Sequence, residues 1–197
     1  MRLLHAATPP AWARHALLSP GTLLLDHLHC EMKAASVALS LVSKNPDVGE
    51  LVSAMLDLAE EELAHYRQIH AVMRRRGIRP EPITPSAYMR QLRAEVGRAR
   101  GEPLLDRLII AALIEARSCE RFQILSAATA GDQELSALFR ELMIAEARHT
   151  TAYADLARRL FGEDALRHRL CPIAAIESAV LARLAPGPRV HSGWLGL

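Results

Sequence analysis

A chain of 197 residues with half its residues hydrophobic, 23% charged and a net charge of +2 has the material for one packed domain and a real core. That balance excludes a polycation, a disordered acidic chain and, because charges interrupt every apolar stretch, a membrane span of about 18 or more apolar residues. Three widely separated cysteines, Cys30, Cys119 and Cys171, with no Cys-x-x-Cys, argue against a disulfide scaffold or zinc ribbon and for a reducing compartment. The opening MRLLHAATPPAWARH lacks the apolar run and cleavage site of a secretory signal, so a cytoplasmic location with no membrane association is expected.

In chain order the sequence reads as nearly all helix, with four long periodic stretches over 22–43, 47–76, 103–130 and 133–160. Pro46 suits the first turn of the second, and Gly77 follows its end. Pro103 opens the third, Gly131 turns it into the fourth, and Gly162 closes the fourth. Short turns inside each pair predict two antiparallel hairpins. The longer link 77–102, with a helical piece near 86–97, predicts the crossover of a ferritin-like bundle rather than an up-and-down one. A fifth, shorter helix is expected over CPIAAIESAVLARL, residues 171–184, followed by a loose tail, APGPRVHSGWLGL. The whole is expected to be a single ferritin-like domain over 1–197.

The hairpins repeat a chemical pattern. Glu31 precedes Glu62 by 31 positions, and Glu115 precedes Glu146 by the same 31; His65 and His149 each stand three residues after the second glutamate. Residues three or four apart share a helix face, so Glu62 with His65, and Glu146 with His149, can reach one ion. All six lie in the apolar stripes: Leu24, Leu28, Glu31, Ala35 and Ala38 on the first helix; Met55, Leu58, Glu62, His65 and Ile69 on the second; Leu108, Ala112, Glu115, Cys119 and Phe122 on the third; and Leu138, Leu142, Glu146, His149 and Tyr153 on the fourth. Four buried carboxylates need compensation, and two divalent metals supply it while leaving both imidazoles neutral. The set matches the carboxylate-bridged di-iron and di-manganese bundles, with Glu31 and His65 on one metal, Glu115 and His149 on the other, and Glu62 and Glu146 bridging by analogy. Spacing does not separate iron from manganese. Glu60, Glu61, Glu120 and Glu141 fall off the stripes and read as solvated. His27 and His29 read as surface or satisfied core residues in preference to groups that support the metal ligands from behind, and Cys30 and Cys119 as packing. Phe122, Phe139 and Leu142 are the candidate lining of a substrate pocket.

Four segments, LLLDHLHCEMKAASVAL (23–39), LAEEELAHYRQ (58–68), ALIEARSCERFQIL (112–125) and EARHTTAYADLA (146–157), resemble the MiaE family of tRNA 2-methylthio-N6-isopentenyladenosine hydroxylases. The resemblance implies a ferritin-like fold and two iron ions on Glu31, Glu62, His65, Glu115, Glu146 and His149. It also implies O2-dependent hydroxylation of the isopentenyl group on adenosine 37 of tRNA, beside the anticodon. Electrons would come from an external reductase or ferredoxin-type donor, since no Gly-x-Gly-x-x-Gly fingerprint is present. Arg74, Arg75, Arg76 and Arg79, with Arg90, Arg93, Arg98 and Arg100, form a candidate phosphate-binding stripe for the anticodon arm. Lys33 and Lys44 are the only lysines, an arginine bias that either base composition or a phosphate-facing surface would produce. The readings set against the hydroxylase are a ferroxidase or iron-handling bundle and a peroxide-consuming bundle of the manganese catalase kind.

Overall fold

A computed structural model describes residues 3–99 and 101–194. The described residues form seven helices and no strand: α1 (Trp12–Ala16), α2 (Pro20–Lys44), α3 (Gly49–Arg75), α4 (Ala87–Arg98), α5 (Pro103–Ala128), α6 (Gln133–Phe161) and α7 (Glu163–Arg183). Contacts gather the chain into two compact units, one of residues 19–84 and the other of residues 3–18 with 85–194.

The 19–84 unit is the antiparallel hairpin of α2 and α3. Ser19 caps α2 by accepting from the Thr22 amide, and Pro20 occupies the first turn, where its missing N–H costs nothing. At the far end the Asn45 side chain donates to the Leu41 carbonyl (2.8 Å). The helix α3 ends where Gly77 takes φ +67°, and the Ile78 amide turns back to the Met73 carbonyl (2.9 Å). That wrap needs a left-handed residue, which glycine supplies without a Cβ penalty. The Ile78 side chain then packs against Gly21, closing the hairpin. The inward stripe on α2 is as the period predicts, and on α3 Leu51 extends the buried stripe ahead of Met55.

In the other unit α5 and α6 pair antiparallel. Glu102 caps α5 through the Leu105 amide, and Asp132 caps α6 through the Leu135 amide. Next to the turn, Ser126 and Ser136 each donate a hydroxyl to the other's carbonyl (3.0 and 2.9 Å), tying the two helices. Phe122 and Phe139 stack behind this link with ring centres 5.9 Å apart. The helix α5 is buried on nearly every side, because α7, α4 and α1 cover the face that α6 leaves open.

Two expectations are corrected here. The last helix begins at Glu163, not at 171, and carries Pro172 in its interior. Leu166, Leu170, Ile173 and Ala174 form its buried stripe, and burying that stripe outweighs the hydrogen bond that proline removes. The tail is not loose. Val190, His191 and Ser192 are buried, and a Cβ on Gly193 would collide with the Leu184 carbonyl. Trp12 donates to the Ser192 hydroxyl (2.8 Å), and the His191 ring stacks on Tyr88 (4.8 Å).

The tail packs onto a buried polar network on the outer face of α5. Arg117 grips Glu177 of α7 through Nε (2.9 Å) and Nη2 (2.9 Å), and reaches Glu120 and Thr8 through Nη1. Tyr88 of α4 donates to the same Glu177 carboxylate (3.1 Å). Arg121 lies 4.4 Å over the Trp12 ring and donates to the Val190 carbonyl. Glu120 also accepts from the Thr8 amide and hydroxyl, so it belongs to this network rather than to the solvated surface expected from its place off the stripe.

Candidate metal centre

In the 19–84 unit, Glu31 comes from mid-α2, and Glu62 and His65 from one face of α3. Glu31 and Glu62 are fully buried and His65 is half-buried. One donor atom from each lies within 4.8 Å of the others. The His65 Nδ1 stands 3.6 Å from Glu31 Oε2 and 3.6 Å from Glu62 Oε2. Those separations exceed a hydrogen bond. They are close to the spacing of neighbouring donors on one ion, roughly 3.0–3.4 Å for bonds near 2.1 Å. Two adjacent carboxylates and an imidazole, out of water and arranged around one point, fit a divalent cation.

The local field is strong. Burial would raise the Glu31 carboxyl, but the charge of His27 and the polar neighbours Glu62, His27 and His65 outweigh it and hold it well below the usual carboxylate range. Burial would lower His65, yet the adjacent Glu31 and Glu62 carboxylates push it up to about 9. An imidazole so placed between carboxylates has its positive charge stabilised there, and a metal ion would supply that charge instead.

In the other unit, Glu146 and His149 are buried on α6 with Nδ1 and Oε2 3.6 Å apart, the same spacing as in the first hairpin. The Thr150 hydroxyl donates to the Glu146 carbonyl (2.7 Å), holding this turn of helix. Glu115 is buried on α5. All six sequence-selected residues are therefore buried or half-buried at mid-helix. Glu60 and Glu141 are exposed as expected, and Glu61 is half-buried.

The sequence assigns His27 to the surface or to a satisfied core position. It is buried, and its Nε2 is 2.5 Å from Glu31 Oε1. Its spacing, i to i+4, is the only signal of this that the sequence carries. His29 points elsewhere: its Nε2 meets the Glu81 carbonyl at 2.9 Å and anchors the link that follows α3.

Phe122, Phe139 and Leu142 are sealed in the core. A recess of about 300 Å³ lies elsewhere, lined by Leu3, Leu4, Ala116, Cys119, Glu120, Ala147 and Thr150, and none of those three residues lines it. Burial and the neighbouring Glu120 push the Cys119 thiol up, so it is a neutral wall residue at physiological pH.

The candidate arginines divide between the units. Arg74, Arg75 and Arg76 are exposed at the end of α3, with exposed Arg79 just beyond. Arg90 and Arg93 are exposed on α4; Arg98 pairs with Glu95 (2.8 Å), and Arg100 lies outside the described residues. Arg107, missed in the sequence, is near enough to Arg93 that burial and that like charge both depress it. Two neighbouring cations of this kind suit a phosphate. No helix among the described residues is long and apolar enough to cross a membrane.

Residues 1–192 match the family described as MiaE, tRNA-(MS[2]IO[6]A)-hydroxylase. The chain belongs to the MiaE family. Among MiaE relatives, it is 38% identical over 190 residues to the tRNA 2-(methylsulfanyl)-N(6)-isopentenyladenosine(37) hydroxylase of Pseudomonas putida, covering 96% of this chain and 92% of the relative. It is 31% identical to the protein of the same description from Salmonella typhimurium over 243 residues, covering 98% of this chain and 88% of the relative. Among solved structures it is similar to "Protein 43 with aldehyde deformylating oxygenase activity from Synechococcus", with a TM-score of 0.91, 33% identity and complete coverage of both chains. The all-α, ferritin-like class expected from the sequence is the class of this MiaE-family chain.

Proposed function

We propose that this chain hydroxylates the isopentenyl group of 2-methylthio-N6-isopentenyladenosine at position 37 of tRNA, as a non-haem di-iron monooxygenase. The observation that carries the reading is the family match over residues 1–192, joined to relatives named for that hydroxylation across nearly their whole length. Glu31, Glu62, His65, Glu115, Glu146 and His149 are the proposed ligands of two iron ions. Four carboxylates offset the four positive charges of two ferrous ions, and both histidines coordinate as neutral imidazoles. Bound iron would supply reduction of O2 and oxidation of an allylic C–H bond, chemistry that no side chain of the twenty provides.

The balance of the reaction sets what else is needed. One oxygen atom enters the substrate as hydroxyl and the other leaves as water, which consumes two electrons and two protons. The electrons come from an external reductase or ferredoxin-type protein. The chain's own residues hold the metals, keep bulk water from the buried carboxylates and dock the anticodon arm. Arg74, Arg75, Arg76, Arg79, Arg90 and Arg93 are the proposed phosphate contacts, and their exposure supports that role. A tRNA substrate makes the cytoplasm the place of action.

The test is nucleoside mass spectrometry on tRNA carrying the methylthio-isopentenyl base, incubated with iron-loaded protein, reductant and O2. A gain of one oxygen on that nucleoside is expected, and Glu115→Ala should abolish it. No gain with two irons bound per chain overturns the substrate; no gain because iron is not bound overturns the centre. Metal analysis of the active protein decides between iron and manganese.

A further inference from the structure

The two oxygens of Glu31 face different partners. Oε1 is 2.5 Å from the Nε2 of His27, one helical turn earlier on α2, while Oε2 is the oxygen 3.6 Å from His65 Nδ1. At that distance the two atoms are in direct contact, closer than the about 2.7–2.9 Å of a charge-assisted pair, and no water fits between them. Both side chains are nearly inaccessible to water, His27 2% and Glu31 2% exposed. Water is thus a poor competitor for the contact. The i, i+4 spacing fixes it further, because both residues lie on one face of the same helix.

A glutamate with nothing on either oxygen can turn about its last torsion and offer one oxygen or both to an ion. We propose that His27 is a positioning residue: it holds Oε1 of Glu31 so that Oε2 is the oxygen offered, beside His65, to the metal ion. The inference rests on the metal-centre reading above. A glutamate limited to one oxygen leaves open a coordination position that a bidentate one would fill, and an oxygen-using centre needs such an opening. Partners of this kind behind a ligand are worth roughly tenfold to a hundredfold in metal affinity. His29 shows that the role is not general to histidines of this helix, for it serves a backbone carbonyl.

The experiment compares full-length wild type, His27→Ala and His27→Gln after anaerobic loading with ferrous iron. Chelator competition reads the affinity of each ion, and Mössbauer spectroscopy reads the environment of each. In His27→Ala one ion should bind about 10–100-fold more weakly. Its spectral component should shift while the other stays put. His27→Gln retains an N–H donor of similar reach and should recover most of the affinity and the wild-type component. A purely structural role would lower the melting temperature without singling out one iron. Wild-type affinity and spectrum in His27→Ala would overturn the proposal, as would a folded His27→Gln no better than His27→Ala. A wild-type chain that takes up no iron overturns the centre itself, and the control separates that result from the first two.

Discussion

Two kinds of buried charge cluster occur in this protein, and they differ in whether they are closed. Around Arg117 each charge meets a fixed opposite charge or an aromatic face: Glu177 and Glu120 for Arg117, and the Trp12 ring for Arg121. Around Glu31, Glu62 and His65 the donors are carboxylates and an imidazole with no lysine or arginine among them, and a carboxylate–imidazole pair recurs at Glu146 and His149. In the first arrangement the Arg117 guanidinium and the two glutamates compensate one another. The second offers lone pairs toward a point, which is the design of a binding site. Burial of charge alone does not mark function; carboxylates and imidazoles buried together, with no lysine or arginine in the cluster, do.

The comparison can be broken at its strongest point first. Arg117→Ala leaves Glu177 buried without its cation, and should cost about 3–5 kcal/mol in thermal or denaturant unfolding. The double replacement Arg117→Met with Glu177→Leu should recover most of that loss, because removing both charges removes the uncompensated one. Next in size, ferrous iron at a hundredfold excess over its dissociation constant should stabilise the wild type by about 2.7 kcal/mol. Calorimetry should show this shift in the double variant and not in Glu115→Ala. If Glu115→Ala is stabilised equally, the carboxylate set is not the site. Smaller again, Gly77→Ala should cost about 1–2 kcal/mol, the strain of a left-handed alanine at φ +67°, with metal uptake unchanged. Least of all in stability, Arg90→Ala with Arg93→Ala should leave unfolding within about 0.5 kcal/mol. Their effect should appear in tRNA binding, where the slope of log affinity against log salt falls by about one for each phosphate no longer neutralised.

The open cluster was legible in the sequence and the closed one was not, for a physical reason. The helices α2, α3 and α6 bury one side, so their apolar residues recur with the helical period and Glu31, Glu62, Glu146 and His149 appear in phase with them. Burial on nearly every side blurs that period on α5, where the buried Arg117, Ser118 and Arg121 stand off the stripe and carry no local signal of their burial. Their partners lie far away in the chain: Glu177 is 60 residues downstream of Arg117, and Ser192 is 180 residues from Trp12. Local pattern carries no trace of such pairings. The tail escapes a sequence reading likewise, since APGPRVHSGW has the composition of a loop and its order comes from contacts with α5 and the N-terminal segment. His27 stands in phase with Glu31, but a histidine one turn from a ligand and a histidine in a core look the same until a distance is known.

The tail also sets a timetable. Translation delivers Thr8 and Trp12 well before their partners Arg117, Glu120 and Ser192, the last of which follows Trp12 by 180 residues. The 19–84 hairpin is contiguous, so its pairing can be completed on the ribosome while later helices are still being made. The other unit cannot close until Val190, His191 and Ser192 have emerged. A nascent chain therefore carries Thr8 and Trp12 unanchored until Ser192 is made, and a product cut short before Val190 would leave Arg121 without its carbonyl acceptor and Trp12 without its hydroxyl acceptor.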